Sequence, residues 1–222
     1  METEIAIVGA GIIGISTTFF LSKLNHEVTL FDRKNVGEEA SGRNAGSLSM
    51  QNKPQDIIPL AIKGMKTWEE LESEIGGLGL KTTGGLRVAE TEAELERLHQ
   101  DRKIQNEHDL GIEYLNPNQV KSIAPYLSHS LKGANYSPLD GHSDALSSGR
   151  IIAKEAEKNG ARILTNNPVT KIQIEENQNK KILVTTKNCE YKCNWLIITA
   201  GVWAREILTQ LGLYLPINLR IN

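Results

Sequence analysis

The sequence predicts an α/β protein, on three observations. A short apolar strand, a glycine turn, a helix and a second strand follow one another within Ile5 to Asp32. The stretch Arg162 to Cys193 alternates apolar and polar residues, as an antiparallel ribbon does. Trp195 to Thr199 is again apolar and runs into Ala200-Gly201, so it should rejoin a buried sheet.

Ile5 to Val8 ends on glycine and reads as a buried parallel strand. A helix is expected from Ile12 to Leu24, with Ile13, Thr17, Phe20, Leu21 and Leu24 along one side. Asn25-His26 stops it, and Glu27 to Phe31 returns to strand, completing a βαβ unit that is right-handed by default. Lys34 to Asn52 is rich in Gly, Ser and Asn, a turn composition. Ile62, Met65, Trp68, Leu71 and Ile75 recur at helical spacing between Pro59 and Ile75. Gly84 to Glu90 is strand-like, and Thr91 with Glu94 forms a capping box that opens a polar helix ending near Gly111.

Farther on, Asn116-Pro117 starts a short helix closed before Pro125. Asp144 is a candidate cap for a helix ending at Asn159, with Gly160 as terminator. The ribbon divides into Arg162–Thr165, Val169–Glu175, Lys181–Thr186 and Glu190–Lys192, with the polar tip EENQNKK.

Composition sets the broad class. Hydrophobic residues at 39%, charged residues at 23% and a formal net charge of -2 describe an ordinary globular chain with no electrostatic reason to seek nucleic acid. The apolar stretch Ile5–Ile15 has an acidic leader and no clean cleavage site, which argues against a signal peptide. No apolar run approaches membrane-spanning length. A cytoplasmic protein is the simplest expectation, with room for peripheral contact at the inner face of a membrane. Cys189 and Cys193 on one strand would stand roughly 13 Å apart, too far for a disulfide. With no soft ligands near them, no metal site is expected.

Gly9, Gly11 and Gly14 match G-x-G-x-x-G between a strand and a helix. The first glycine permits the tight turn, the second lets a pyrophosphate approach the backbone, and the third lets helix and strand pack closely. The helix start offers N–H groups and a positive dipole end to phosphate. Asp32 ends the second strand, where its carboxylate can accept the ribose hydroxyls. FAD and NAD share this grip. A nicotinamide domain would continue through a crossover to a third parallel strand, and none is evident before residue 84, which favours FAD. The loop after Asp32 can present main-chain N–H groups with Ser41, Arg43 and Asn44 to a diphosphate, and Arg33 can lie over adenine. A plain surface loop would have the same composition.

On GAGIIGIS, VTLFDR, EEASGRNAGSLS, GGLRVAE, DGHSDALSSGRI, NPVTKI and WLIITAGVWAREI, in that order, the chain resembles the D-amino-acid oxidase family of FAD-dependent oxidoreductases. That group includes glycine and sarcosine oxidases, D-amino-acid dehydrogenases and opine oxidases. The resemblance implies a Rossmann-like FAD-binding domain of glutathione-reductase type, a βαβ unit with a β-meander, plus an inserted, incomplete α+β substrate domain. Its segments would be 1–52 and 143–215 for the cofactor and 53–142 for the insertion, with 216–222 beginning a truncated remainder.

By the same resemblance Gly9, Ala10, Gly11, Ile12, Ile13, Gly14, Asp32 and Arg33 hold the adenosine diphosphate half. Ser41, Arg43, Asn44, Ala45 and Gly46 run along the pyrophosphate, Val169 meets adenine through its backbone, and Ala200, Gly201 and Trp203 close a second cofactor loop. Ala145 stands where such proteins often carry Pro. Met50, Gln51 and Lys53 follow the flavin-approaching loop and are weak candidates for facing substrate. Arg87 could point into the site or to solvent, and Arg220 falls at a strand start.

The five histidines and the acids at 38–39 and 90–96 read as surface, and no catalytic residue is assigned. The implied chemistry is oxidation of the C–N bond of a D-amino acid, glycine, sarcosine or opine-like amine by hydride transfer to flavin, with oxygen, a quinone or another carrier taking the electrons. A non-catalytic cofactor-binding subunit that needs a partner, and an NAD(P)-dependent dehydrogenase, are the alternatives.

Overall fold

A computed structural model describes residues 1–51, 53–175 and 181–217. The chain divides into two compact units, Met1–Asn44 with Ala145–Asn222, and Ala45–Asp144.

The first unit is a six-stranded sheet. Strand β1 (Glu2–Val8) lies between β2 (Val28–Phe31) and β11 (Glu190–Ile198), parallel to both. Helix α1 (Ile12–Lys23) connects β1 to β2. Beyond β2 sits β8 (Arg162–Leu164), also parallel, and beyond β11 the antiparallel β10 (Ile182–Thr186) and β9 (Val169–Ile174). Ile5–Val8 of β1 and all four residues of β2 are buried, as in a sheet covered on both faces. On one face Ala6 and Phe31 pack with Val184 of β10 and with Tyr191 and Cys193 of β11, the Phe31 and Tyr191 rings edge to face at 4.8 Å. α1 also packs against α5 (Ala145–Lys158).

Three expectations need correction. The stretch beginning at Arg162 is not part of the antiparallel ribbon. β8 pairs parallel with β2, Thr29 opposite Arg162, and supplies the third parallel strand after residue 144 rather than before residue 84. Glu190–Lys192 and the apolar run after Trp195 are one nine-residue strand. The expected side of α1 is the outward one. Ile13, Phe20 and Leu24 are exposed, whereas Gly14, Ile15, Thr18, Phe19 and Ser22 are buried. Small residues let this helix approach its neighbours closely, and the Thr18 and Ser22 hydroxyls are satisfied by carbonyls of their own helix, Gly14 and Phe19.

The second unit is α+β. The strands β4 (Gly85–Ala89), β6 (Gly133–Ser137) and β5 (Glu113–Leu115) form an antiparallel sheet in that order, and β3 (Ser47–Leu48) pairs with β7 (Gly141–His142). Helix α2 (Ile58–Glu74) buries Ile58 and Met65 in a cluster with Met50, Leu110 and Ile112. Helices α3 (Glu92–Asn106) and α4 (Pro117–Ile123) each begin with a complete capping box, Thr91 with Glu94 and Asn116 with Gln119. The tip at 176–180 and Arg220 lie outside the described residues. Among the described residues no helix is long and apolar enough to cross a membrane.

Candidate functional site: a nucleotide grip at the carboxyl ends of β1 and β2

The grip is held from three directions. Gly9 has φ +114, and a Cβ there would stand 2.5 Å from the carbonyl oxygen of Thr199. A Cβ at Gly14 would reach 1.9 Å from the Gly9 oxygen, so only glycine lets α1 leave the strand at this angle. The Thr199 hydroxyl donates to the carbonyls of Val8 at 3.1 Å and Gly9 at 2.9 Å, fastening the end of β11 to the turn.

Gly11 caps α1 in extended geometry without a side-chain bond, and the first helical turn carries no acid. First-turn N–H groups lack acceptors within their own helix. Ile12 donates its N–H to Ser41 Oγ at 2.9 Å, and Ile13 and Gly14 follow it in the same turn.

Asp32 closes the grip. Its Oδ2 accepts the Ala10 N–H at 2.6 Å and its Oδ1 the Lys34 N–H at 2.7 Å. A carboxylate has about four acceptor positions, so two remain for ribose hydroxyls while the side chain is fixed in place. The Gly37 N–H donates to the Ala10 carbonyl at 2.9 Å, bringing the loop after β2 back onto the glycine turn. Ser41 belongs to the short 3-10 turn Ala40–Gly42 on that loop.

Some of the sequence-selected side chains brace the loop itself. Arg43 Nε donates to the Glu38 carbonyl at 2.8 Å, and Asn44 Nδ2 donates to the carbonyls of Ala40 and Ser41. Glu39 pairs with Lys34 and Arg33, whose hydrogen bonds hold its carboxyl below the ordinary range. Glu38 is likewise lowered, chiefly by the Asn35 backbone N–H and then by the Asn35 side chain. The Arg33 guanidinium lies 3.8 Å from the centroid of the Trp203 ring. Val169 starts β9, just after Asn167, whose N–H donates to the Asp32 carbonyl at 2.8 Å. Ala200 leads into the 3-10 turn Gly201–Trp203, where Gly201 has φ +54.

In the second unit Ala45 is exposed, and Gly46 has φ +68 and accepts the Ser143 N–H at 2.9 Å. Met50 is a core residue of that unit, Gln51 is buried and Lys53 is exposed. Arg87 is ion-paired to Asp101 at 2.9 Å, its side chain partly exposed. Sequence reasoning missed Lys34, Gly37, Asn167 and Thr199, which act through backbone groups or a single hydroxyl and leave no spacing pattern. Among the described residues no group of three or more His, Cys, Asp or Glu could hold a metal.

The chain is 28% identical over 223 residues to glycine oxidase of Geobacillus kaustophilus (strain HTA426), covering 96% of this chain and 58% of that protein. It is 27% identical over 209 residues to the mitochondrial pyruvate dehydrogenase phosphatase regulatory subunit of Mus musculus, covering 93% of this chain and 24% of that one. The crystal structure of the G. kaustophilus glycine oxidase superposes with a TM-score of 0.88 at 27% identity, covering 96% of this chain and 59% of the other. The chain therefore spans a little over half the length of the glycine oxidase it matches. The model of the family described as FAD dependent oxidoreductase matches residues 4–221. The chain, from its glycine turn to its last strands, belongs to the FAD dependent oxidoreductase family.

Proposed function

We propose that the chain supplies the FAD-holding part, and the beginning of the substrate part, of an oxidoreductase acting on the C–N bond of an amino acid or secondary amine. Glycine, sarcosine, a D-amino acid and opine-like amines are the substrates to test. The observation that carries the reading is the convergence of Gly9–Gly14, Ser41 and Asp32 at one end of the sheet. A bare backbone, a helix start without acids and a pinned carboxylate suit a diphosphate with its ribose.

When bound, FAD supplies the two-electron acceptor, and the protein supplies orientation and electrostatics. In this reading the N–H groups at the start of α1 hold the pyrophosphate, Asp32 holds the ribose, and the backbone beside Val169 lines the adenine position. The loop at Ala200, Gly201 and Trp203 closes over the cofactor, and Arg43 and Asn44 keep the Ser41 loop folded. The Ala45–Asp144 unit belongs to the substrate part. Oxygen, a quinone or another carrier accepts the electrons.

The test has two stages. FAD titrated into the 222-residue chain should quench flavin fluorescence saturably, and NADH should not compete. The Asp32→Ala variant should lose at least about tenfold in affinity, since a bond to a charged group contributes roughly 1.5–3 kcal/mol. The longest product of the reading frame should then show a flavin spectrum bleached anaerobically by one of the amines. No affinity for FAD in either product sinks the reading. A second reading, a cofactor-binding subunit without its own catalysis, draws on the likeness to a regulatory subunit. A bound flavin that no amine bleaches would favour it.

A further inference from the structure

Helix α3 rests on the β4–β6–β5 sheet through a polar seam. Of its fifteen residues it buries two, Leu98 and Gln105, whereas α2 buries Ile58, Met65 and Leu71. Leu98, Asp101, Arg102 and Gln105 share one side of α3 at helical spacing. On the sheet, Arg87 of β4 and Tyr114 of β5 are both register partners of Asn135 on β6, so the three side chains share a face. The ties between the layers are polar. Arg87 pairs with Asp101 at 2.9 Å, Asn135 Nδ2 donates to the Leu98 carbonyl at 2.7 Å, and the Arg102 guanidinium lies 5.5 Å from the centroid of the Tyr114 ring.

This seam leaves polar atoms unmet. The bond to Leu98 fixes the Asn135 amide, and the Asn135 Oδ1 then accepts nothing among the described residues. Gln105 Oε1 and Arg102 Nη1 are likewise shielded from solvent and without a partner, although Arg102 Nη2 donates to His99 Nδ1 at 3.2 Å within the helix. A shielded polar atom without a partner is less favourable than the same atom in water. Lifting α3 admits water to all three, and Leu98 is the one fully buried apolar side chain of the helix to be uncovered. The two ends of α3 are held unequally. Asn106 clasps Ile112, its Nδ2 donating to the Ile112 carbonyl at 2.9 Å and its Oδ1 accepting the Ile112 N–H at 2.8 Å, and Ile112 is a core residue. At the other end the capping box is internal to the helix, and Glu92 reaches Lys132, just before β6, in an ion pair at 3.2 Å with both side chains exposed.

We propose that α3 is a hinged cover, which swings off the sheet about Asn106 and releases Arg87 from Asp101 as it lifts. Arg87 stands on the wall of a cavity of about 330 Å³ within the Ala45–Asp144 unit, beside Ser47, Ser49 and Gln51. With α3 down, Asp101 neutralises the guanidinium. With α3 lifted, the same wall carries a free positive charge. The position of one helix therefore sets the charge that this cavity presents. The device belongs to the Ala45–Asp144 unit alone and rests on none of the cofactor argument.

Hydrogen exchange of the backbone amides in the 222-residue chain, followed by NMR at urea concentrations below the unfolding transition, tests it. The amides of Arg97 to Arg102 should exchange at least about tenfold faster than those of β6, at a rate that hardly responds to urea, while β6 exchange rises steeply with urea. Gln105→Met removes an unmet acceptor at similar volume, so it should slow α3 exchange about tenfold. Asp101→Asn weakens the pair that lifting breaks, so it should speed α3 exchange about threefold. Both variants should leave the amides of β1 and β2 unchanged. Equal rates and equal urea dependence in α3 and β6 overturn the hinge. An α3 that exchanges no more slowly in Gln105→Met overturns the part given to the unmet atoms, and one that Asp101→Asn leaves unchanged overturns the release of Arg87. If Gln105→Met unfolds, the wild-type urea series and the exposed Asp101→Asn change decide.

Discussion

The Ser41 hydroxyl accepts the backbone N–H of Ile12 at 2.9 Å, joining the loop after β2 to the first turn of α1 across 29 residues of sequence. It performs the task of a helix cap from a distance, because the local cap, Gly11, has no side chain to offer. Removing a cap costs about 1 kcal/mol. Ser41→Ala should therefore lower the thermal midpoint by about 2–4 °C for a chain of this size, and should weaken FAD binding as the two turns loosen. A circular-dichroism melt and a flavin titration check both effects. An unchanged melt would mean that Ser41 contributes nothing to the grip.

Two glycines should respond oppositely to the same change. Gly14→Ala puts a methyl group 1.9 Å from the Gly9 carbonyl oxygen and 2.6 Å from Thr199 Oγ1, contacts that only a backbone shift can relieve. The expected loss is about 3 kcal/mol or more. Gly64 lies inside α2 with nothing within 4 Å of its would-be Cβ, so Gly64→Ala should stabilise by roughly 0.5–1 kcal/mol through helix propensity. Urea unfolding of the two variants measures both signs, and two losses of similar size would refute the steric account of Gly14.

The difference between these glycines shows what was legible in the sequence. Gly9, Gly11 and Gly14 could be found because strand, turn and helix are local and the spacing repeats a physical requirement. The capping box at Thr91 and the helix start at Asn116-Pro117 were legible for the same reason. Pairing between distant segments left no such mark. β8 reads as one more alternating stretch, and only its register against Thr29–Phe31 makes it a parallel core strand. The buried side of α1 was hidden by chemistry, since Gly14, Thr18 and Ser22 lack the hydrophobicity that Ile13, Phe20 and Leu24 display outward. Asp140 sits in a recognisable DG pair, but its ties to Ser49 and Met50 span about ninety residues.

Arg33 and Trp203 make a stacked pair at 3.8 Å, with Glu39 holding the guanidinium from another side at 2.9 Å. A partly exposed cation–π contact is worth about 0.5–1 kcal/mol. Arg33→Ala should lower the melting midpoint by about 1–4 °C and shift the emission of Trp203 to the red as water reaches the ring. The same substitution in a Trp203→Phe background should leave the emission of the other tryptophans unchanged. An identical spectral change in both backgrounds would place its origin elsewhere.

Cys193 is fully buried, and burial pushes its thiol up from an ordinary 9.0 to about 11, against a weaker opposing effect of the Ala6 backbone hydrogen bond. Cys189 is half-buried and also free. Since the thiolate is the reactive form, an aromatic disulfide reagent at pH 8 should modify one thiol quickly in the folded chain and the second only after unfolding. Stability should follow the same proton. Below pH 9 both states keep it, so the full contribution is present. Between about pH 9 and 11 the unfolded chain releases the proton while the folded chain retains it, and stability falls as pH rises. Cys193→Ala removes this dependence, so the wild-type and variant stability curves should diverge from parallel only above pH 9. Equal reaction rates for the two thiols, or curves that stay parallel to pH 11, would show that the interior beneath β11 is open to water.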